Sequence, residues 1–429
     1  MTDFLIIEDG KVFRRSSDLE SARKIIDVLD LTEDNRVVKT KVSLEKDGFL
    51  EHEYIFPVIY SGEYTTSMAY DVLDVILNMS TTYLDKGLYM CDALPHNYTY
   101  NKGRWVLYDF GAFELSSRNV KTLIRNVFKI AISSFELLKM LPRKDLKHYF
   151  LNRVSHTSFA KMVSLKTFMS FLLKSELCLF LSKLNLNKYS YLLAKYYFKK
   201  YVVNYKKEYF LPTNLDEEEK ESFDLVDNFL QNVASKTVFA IGEISAKWAV
   251  VSILDCEKFV YLDDYDFCDK YYNYIYINGF KTVSTAVVYP FFDDENIPED
   301  LTYRGIYDSF ARERFCSDAV VVFDISELVC SNSFDIKNYI KHISGFAKKS
   351  IFLGFDKLNE QDIFAMAKQE LSKYFDEITV LETKEKLILS SNNKKDILYP
   401  KVEKYRNANR SYLANAHSEK IIEILKNRK

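Results

Sequence analysis

Glycine is scarce in this chain, with 11 in 429 residues, and there are only 7 prolines and 2 tryptophans. So few glycines exclude collagen-like repeats, flexible linkers and any reliance on long Gly-rich loops. The six cysteines (Cys91, Cys178, Cys256, Cys268, Cys316 and Cys330) form no C-x-x-C pair and follow no regular spacing. A disulfide framework is therefore not expected, and reduced thiols suit a cytoplasmic protein. The histidines form no H-E-x-x-H or other paired set, so no structural metal is expected. The first residues, MTDFLIIEDGKVF, lack a basic stretch followed by an apolar run, and no secretory signal is expected. No stretch of about 18 apolar residues is free of charge. The greasiest, 164–184, is broken by Lys166, Lys174, Glu176 and Lys183.

Aromatic residues are abundant, with 31 Tyr and 32 Phe, and 48% of the chain is hydrophobic, enough for two or three cores. The net charge of −2 hides a segregation. Between Ser116 and Phe210 there are 19 Lys/Arg against 4 Asp/Glu, and the remainder is net acidic. That asymmetry divides the chain into a mixed α+β region (1–116), a basic helical region (117–219), an alternating α/β region (220–395) and a charged tail (396–429). In the first region, FLIIEDGKVFRR reads as a hairpin, SSDLESARKIIDVLDL as a capped amphipathic helix, and TTSMAYDVLDVILNMSTTYLDKG as a long helix. In the basic region lysines are interleaved with apolar and aromatic clusters. They form a solvated face, or a surface for peripheral contact with an anionic membrane or an acidic acceptor. No RRM, KH or helix-turn-helix signature accompanies the charge, so nucleic acid is not an expected partner.

The segment CDALPHNYTYNKGRWVLYDFGAFEL carries the sharpest spacing. Asp92 and Asn97 stand in D-x-x-x-x-N order, and Asp109-Phe110-Gly111 follows 12 residues after Asn97. In a protein-kinase fold such a set supplies a catalytic-loop carboxylate, a metal-binding amide and a second carboxylate for magnesium. Lys11 or Arg14, with Glu20 on the following helix, would stand for the lysine–glutamate pair. A Gly-rich loop, an HRD histidine and an APE motif are absent.

The region 220–395 alternates strand-like and helical stretches, the pattern of a doubly wound sheet with its ligand at the strands' carboxyl ends. KTVFAIGEISAKWA offers Gly242 after the first strand. KFVYLDD ends in Asp263-Asp264, suited to ribose hydroxyls. FFDDENIP carries Asp293-Asp294, placed for the adenine amino group. DAVVVFDISEL carries Asp324 and Glu327, candidates to receive a proton from an acceptor.

With these residues in view, the chain resembles bacterial class I S-adenosylmethionine-dependent methyltransferases that carry a truncated kinase-like amino-terminal region. Their pattern KDASPYNIQF…G…FIDIGSFE is matched by CDALPHNYTYNKGRWVLYDFGAFE, MDLANP by FFDDENIP with Asp293 and Asn296 in register, and SFLER…ADLVLALALIHHL by SFARERFCSDAVVVFDISEL. Two departures stand out. The family's DLGCNTG is AIGEISA here, with Ala240 for the acid and Ala246 for the last glycine, and its His-His pair is Ser326-Glu327. The resemblance, over residues 1–392, implies a Rossmann-like methyltransferase sheet behind a small kinase-like α+β region. It also implies S-adenosylmethionine as cofactor and a small-molecule acceptor, such as a cell-surface glycan precursor. Two other readings stay open: a nucleotide-binding enzyme using magnesium at Asp92, Asn97 and Asp109, and a non-catalytic scaffold.

Overall fold

The computed structural model describes residues 5–8, 10–55, 57–59, 64–84, 86–90, 97–115, 208–210, 215–262, 265–287, 314–325, 335–357 and 360–395. They fall into two compact units, one holding the described residues up to 115 and the other those from 208 onward. Most of the basic helical region and the whole charged tail lie outside the described residues.

The first unit opens with the expected hairpin: β1 (Leu5–Glu8) and β2 (Lys11–Arg15) pair antiparallel, Glu8 opposite Lys11. Helix α1 (Leu19–Thr32) follows. Asp18 caps it by accepting from the Ser21 N–H at 3.0 Å, and Ala22, Ile25 and Ile26 form its buried stripe. β3 (Thr40–Val42) and β4 (Phe49–Glu53) complete a sheet of order β1-β2-β4-β3. Helix α2 (Thr66–Leu84) leads to β5 (Leu88–Met90). A tight hairpin of β6 (Tyr98–Asn101) and β7 (Arg104–Leu107) then turns at Lys102-Gly103, where Asn-Lys-Gly signals a turn. After one turn of 3-10 helix at Phe110–Ala112, β8 (Phe113–Leu115) pairs antiparallel with β5. The β6–β7 hairpin therefore sits inside a loop whose two ends are bonded to each other.

The second unit begins where the acidic run LDEEEKES becomes the start of α3 (Glu217–Asn232). Asp216 and Glu219 form a reciprocal capping box there, so the acids satisfy the helix's amino end. Next come β9 (Thr237–Ile241), α4 (Glu243–Val251), β10 (Glu257–Leu262), α5 (Tyr265–Ile277) and β11 (Val283–Val287). They are followed by β12 (Ser317–Val322), α6 (Ile336–Ser344), β13 (Ala347–Asp356) and α7 (Gln361–Leu371), and by the terminal pair β14 (Phe375–Glu382) and β15 (Lys386–Lys394). The sheet order is β11-β10-β9-β12-β13-β15-β14. The first five strands in that order run parallel, while β15 is antiparallel to both β13 and β14. The strands carrying AIG, VYL and VVV are neighbours, as the sequence pattern predicts. Their unbroken apolar runs follow from burial on both faces: Val238, Phe239, Ile241, Val260 and Val320 are all fully buried.

Counted along the chain, the parallel part reads 3-2-1-4-5. The sheet grows from β9 to one side, then from β12 to the other. Right-handed crossovers then require α4 and α5 on one face and α6 on the opposite one. The helices part at the carboxyl ends of β9 and β12, where open α/β sheets bind ligands.

Candidate functional site at the switch point of the sheet

Gly242 follows β9 directly, with φ +93° and ψ 162°. Only glycine adopts that conformation without strain. It leads into α4 with no side-chain cap, whereas α1, α3 and α6 are capped by Asp18, Asp216 and Asp335. Ser245, in the first turn of α4, accepts from the Phe323 N–H at 3.2 Å, which ties the helix to the chain leaving β12. Ala246 is fully buried. Its N–H bonds to Gly242 O at 3.0 Å, and its carbonyl accepts from the Tyr271 hydroxyl of α5 at 3.0 Å. The methyl group where the resemblance has glycine is thus enclosed in packing.

Asp324 lies two residues beyond β12 and is bonded to Lys386 Nζ at 3.1 Å. The intervening Phe323 ring packs on Phe223 of α3 at 5.0 Å and on Trp248 of α4 at 6.1 Å. Trp248 is fully buried, and its indole N–H donates to Asp227 at 2.9 Å, so it faces α3. Asp263 and Asp264 follow Leu262, the last residue of β10, in sequence. They lie outside the described residues, as do Asp293, Asp294, Asn296, Ser326 and Glu327.

In the first unit, the β6–β7 hairpin brings Asn97 and Asp109 to one end: the Tyr108 N–H donates to Asn97 O at 3.0 Å. Asn97 is buried. Asp109 Oδ1 accepts from Arg14 Nη1 and, at 2.8 Å, from the Gly111 N–H, capping the 3-10 turn. The lysine–glutamate pair expected from the sequence does not form. Glu20 bonds Lys24 on its own helix, and Lys11 bonds Glu45 and Glu51, because α1 presents Glu20 to solvent. Asp92 lies outside the described residues. Among the described residues no cluster of three His, Cys, Asp or Glu side chains is placed to hold a metal. Among them, too, no helix is long and apolar enough to cross a membrane.

Lys386 and Gly354 are site residues that sequence reasoning missed. Lys386 is 62 residues from Asp324 and carries no motif. Gly354 left a weak signal, being a glycine inside an apolar strand, the mark of a close backbone approach.

The chain matches no protein-family model and no curated protein. Among solved structures it is similar to an O-methyltransferase family protein from Burkholderia thailandensis, with 11% identity, TM-score 0.31, and 42% of this chain and 57% of that one covered. It is also similar to a caffeoyl-CoA O-methyltransferase-like protein from Staphylococcus aureus, at 11% identity and TM-score 0.28, covering 42% of this chain and 86% of that one. A third is a magnesium protoporphyrin IX methyltransferase from Synechocystis PCC 6803 with bound S-adenosylmethionine, at 11% identity and TM-score 0.27, covering 42% and 86%. The match spans little more than half the length of the Burkholderia protein.

Proposed function

We propose that the chain is an S-adenosylmethionine-dependent methyltransferase acting on a small acceptor, with a cell-surface glycan precursor as the finer reading. The observation that carries this is the order of the parallel sheet. It reverses between β9 and β12, with a glycine in left-handed backbone at one lip and an acid at the other. The residues present fit the cofactor. Gly242 holds a turn that leaves the amino end of α4 without a side-chain cap, with Glu243 in its first turn, and the methyl of Ala246 is buried. Asp263 or Asp264 would accept from the ribose hydroxyls, and Asp293 or Asp294 from the adenine amino group. The cofactor, when bound, supplies an electrophilic methyl group on a sulfonium. Asp324 or Glu327 would orient the acceptor and take its proton.

Calorimetry on the full chain with S-adenosylhomocysteine tests this reading. Binding is expected. Asp263→Ala or Asp264→Ala, whichever faces the ligand, should weaken it roughly ten- to a hundredfold, the loss of a charge-assisted bond. Ala246→Gly should leave it unchanged or tighter. No binding at millimolar ligand overturns the reading.

A second reading, a magnesium–nucleotide site at Asp92, Asn97 and Asp109, rests on the hairpin that brings Asn97 and Asp109 to one end. Asp109 Oδ1 is already engaged by Arg14 and the Gly111 N–H, so a metal there requires that pair to open. Thermal stabilisation by Mg·ATP, lost in Asp109→Asn, would support it. An unchanged melting temperature retires it.

A further inference from the structure

Lys386 opens β15 at the same end of the sheet at which β12 delivers Asp324, and several restraints hold it there. Its N–H donates to Thr383 Oγ1 at 3.0 Å and its carbonyl accepts from the Thr383 N–H at 3.0 Å, closing a tight turn. Across the ladder it stands opposite Asp356 of β13. Between Lys386 and Asp324 runs β13, and there Gly354 lies so close to β12 that a Cβ would come within 2.4 Å of Phe323 O. Because β13 carries no side chain at that point, it packs tightly beside the residue preceding Asp324. A lysine two strands away then reaches over it to a distance of 3.1 Å. Both side chains are mostly withdrawn from solvent, at 20% and 23% exposure.

The surroundings are acidic. Glu218, in the first turn of α3, shares a hydrogen bond with Glu385. Burial first, and then that bond, raise its carboxyl pKa, while Lys386 pulls it back. Lys386 therefore bonds Asp324 and also acts electrostatically on Glu218. A carboxylate with a cation at bonding distance acts at longer range as a dipole, whose field falls off faster than that of a bare charge.

We propose that Lys386 is a specificity-determining residue. It neutralises Asp324 at the lip of the β9–β12 crevice and so sets how strongly the crevice prefers a cationic ligand to a neutral one. This rests on the methyltransferase reading, in which the cofactor is a sulfonium cation and its product a neutral thioether. Substrate and product thus differ by one charge and one methyl, and on that reading Asp324 stands beside the transferred methyl. With the pair intact, the crevice presents little net charge to that difference. With Lys386 removed, it presents an uncompensated carboxylate. With Asp324 removed, it presents an ammonium that only the Glu218–Glu385 pair offsets.

The test is calorimetry of S-adenosylmethionine and S-adenosylhomocysteine on the full chain, in the wild type and in Lys386→Met, Asp324→Asn and the double variant. Lys386→Gln serves if the Met variant fails to fold, as judged by its melting temperature. The preference for S-adenosylmethionine should rise about three- to tenfold in Lys386→Met and fall by a similar factor in Asp324→Asn, a range typical of one partly screened charge. It should return close to the wild-type ratio in the double variant. Affinity for the neutral product should change little throughout, a pattern that a merely structural role would not produce. If the ratio is the same in all four proteins, or if both ligands weaken together, the inference is wrong. If the wild type binds neither ligand, the methyltransferase reading fails, and this inference with it.

Discussion

His52 on β4 is 5% exposed, with Nδ1 2.8 Å from Thr40 Oγ1 and, among the described residues, no hydrogen-bond partner for Nε2. Burial first, and the nearby Arg14 second, push its pKa down from 6.5 to about 4, with Asp109 acting in the opposite direction. A base whose folded pKa is depressed contributes stability above its unfolded value and loses it as pH falls. The unfolded chain takes up a proton near pH 6.5, while the folded unit resists until pH approaches 4. Stability should thus decline across that window by up to about 3 kcal/mol. His52→Gln should flatten the decline in urea titrations run at successive pH values, and an NMR titration should place the ring's midpoint near 4. A midpoint near 6.5 would contradict the burial argument. At Gly354 the prediction is steric. Gly354→Ala places a Cβ against the Phe323 carbonyl, and overpacking of this kind costs about 1–3 kcal/mol. A lowered melting temperature checks it, and an unchanged one would mean that β12 and β13 can part without cost.

At the scale of elements, α3 is clamped to α4 and the chain after it. Asp227 accepts from the Trp248 indole at 2.9 Å, from Ser252 Oγ at 2.8 Å and from the Ile253 N–H at 3.2 Å. Nearer the switch point, Glu219 pairs with Lys247, and both are largely buried. Asp227→Ala leaves the buried indole donor without its partner and should cost about 2–4 kcal/mol. Urea titration measures the loss, and Trp248 emission should shift to the red. Elements of this kind were legible in the sequence wherever one physical signal dominated. The Asp18 cap, the Lys102-Gly103 turn and the apolar runs of β9, β10 and β12 each occur where pattern and chemistry agree. The bond between β5 and β8 could not be read, because three-residue strands are specified by their partners and not by their own alternation. Arg14 was a candidate from the sequence, yet its partner proved to be Asp109, a contact made across 95 residues. Lys386 escaped for the same reason: its turn and its reach over Gly354 exist only once β13 and β15 are paired.

At the scale of the whole molecule, the reading joins a parallel sheet that reverses at β9 and β12 to a ligand held across its carboxyl edge. The doubly wound pattern was visible from alternation alone. The site was visible only as acids at strand ends, since one acid there serves a cap as readily as a ribose. Asp324, for instance, is engaged by a lysine. The measurement that bears most directly on the account is a crystal structure of the chain soaked with S-adenosylhomocysteine. The account predicts density over the carboxyl ends of β9, β10 and β11, with the amino-acid end at Gly242 and the first turn of α4, and the ribose within bonding distance of Asp263 or Asp264. Ligand bound elsewhere, or a turn at Gly242 left empty at saturating concentration, would contradict it.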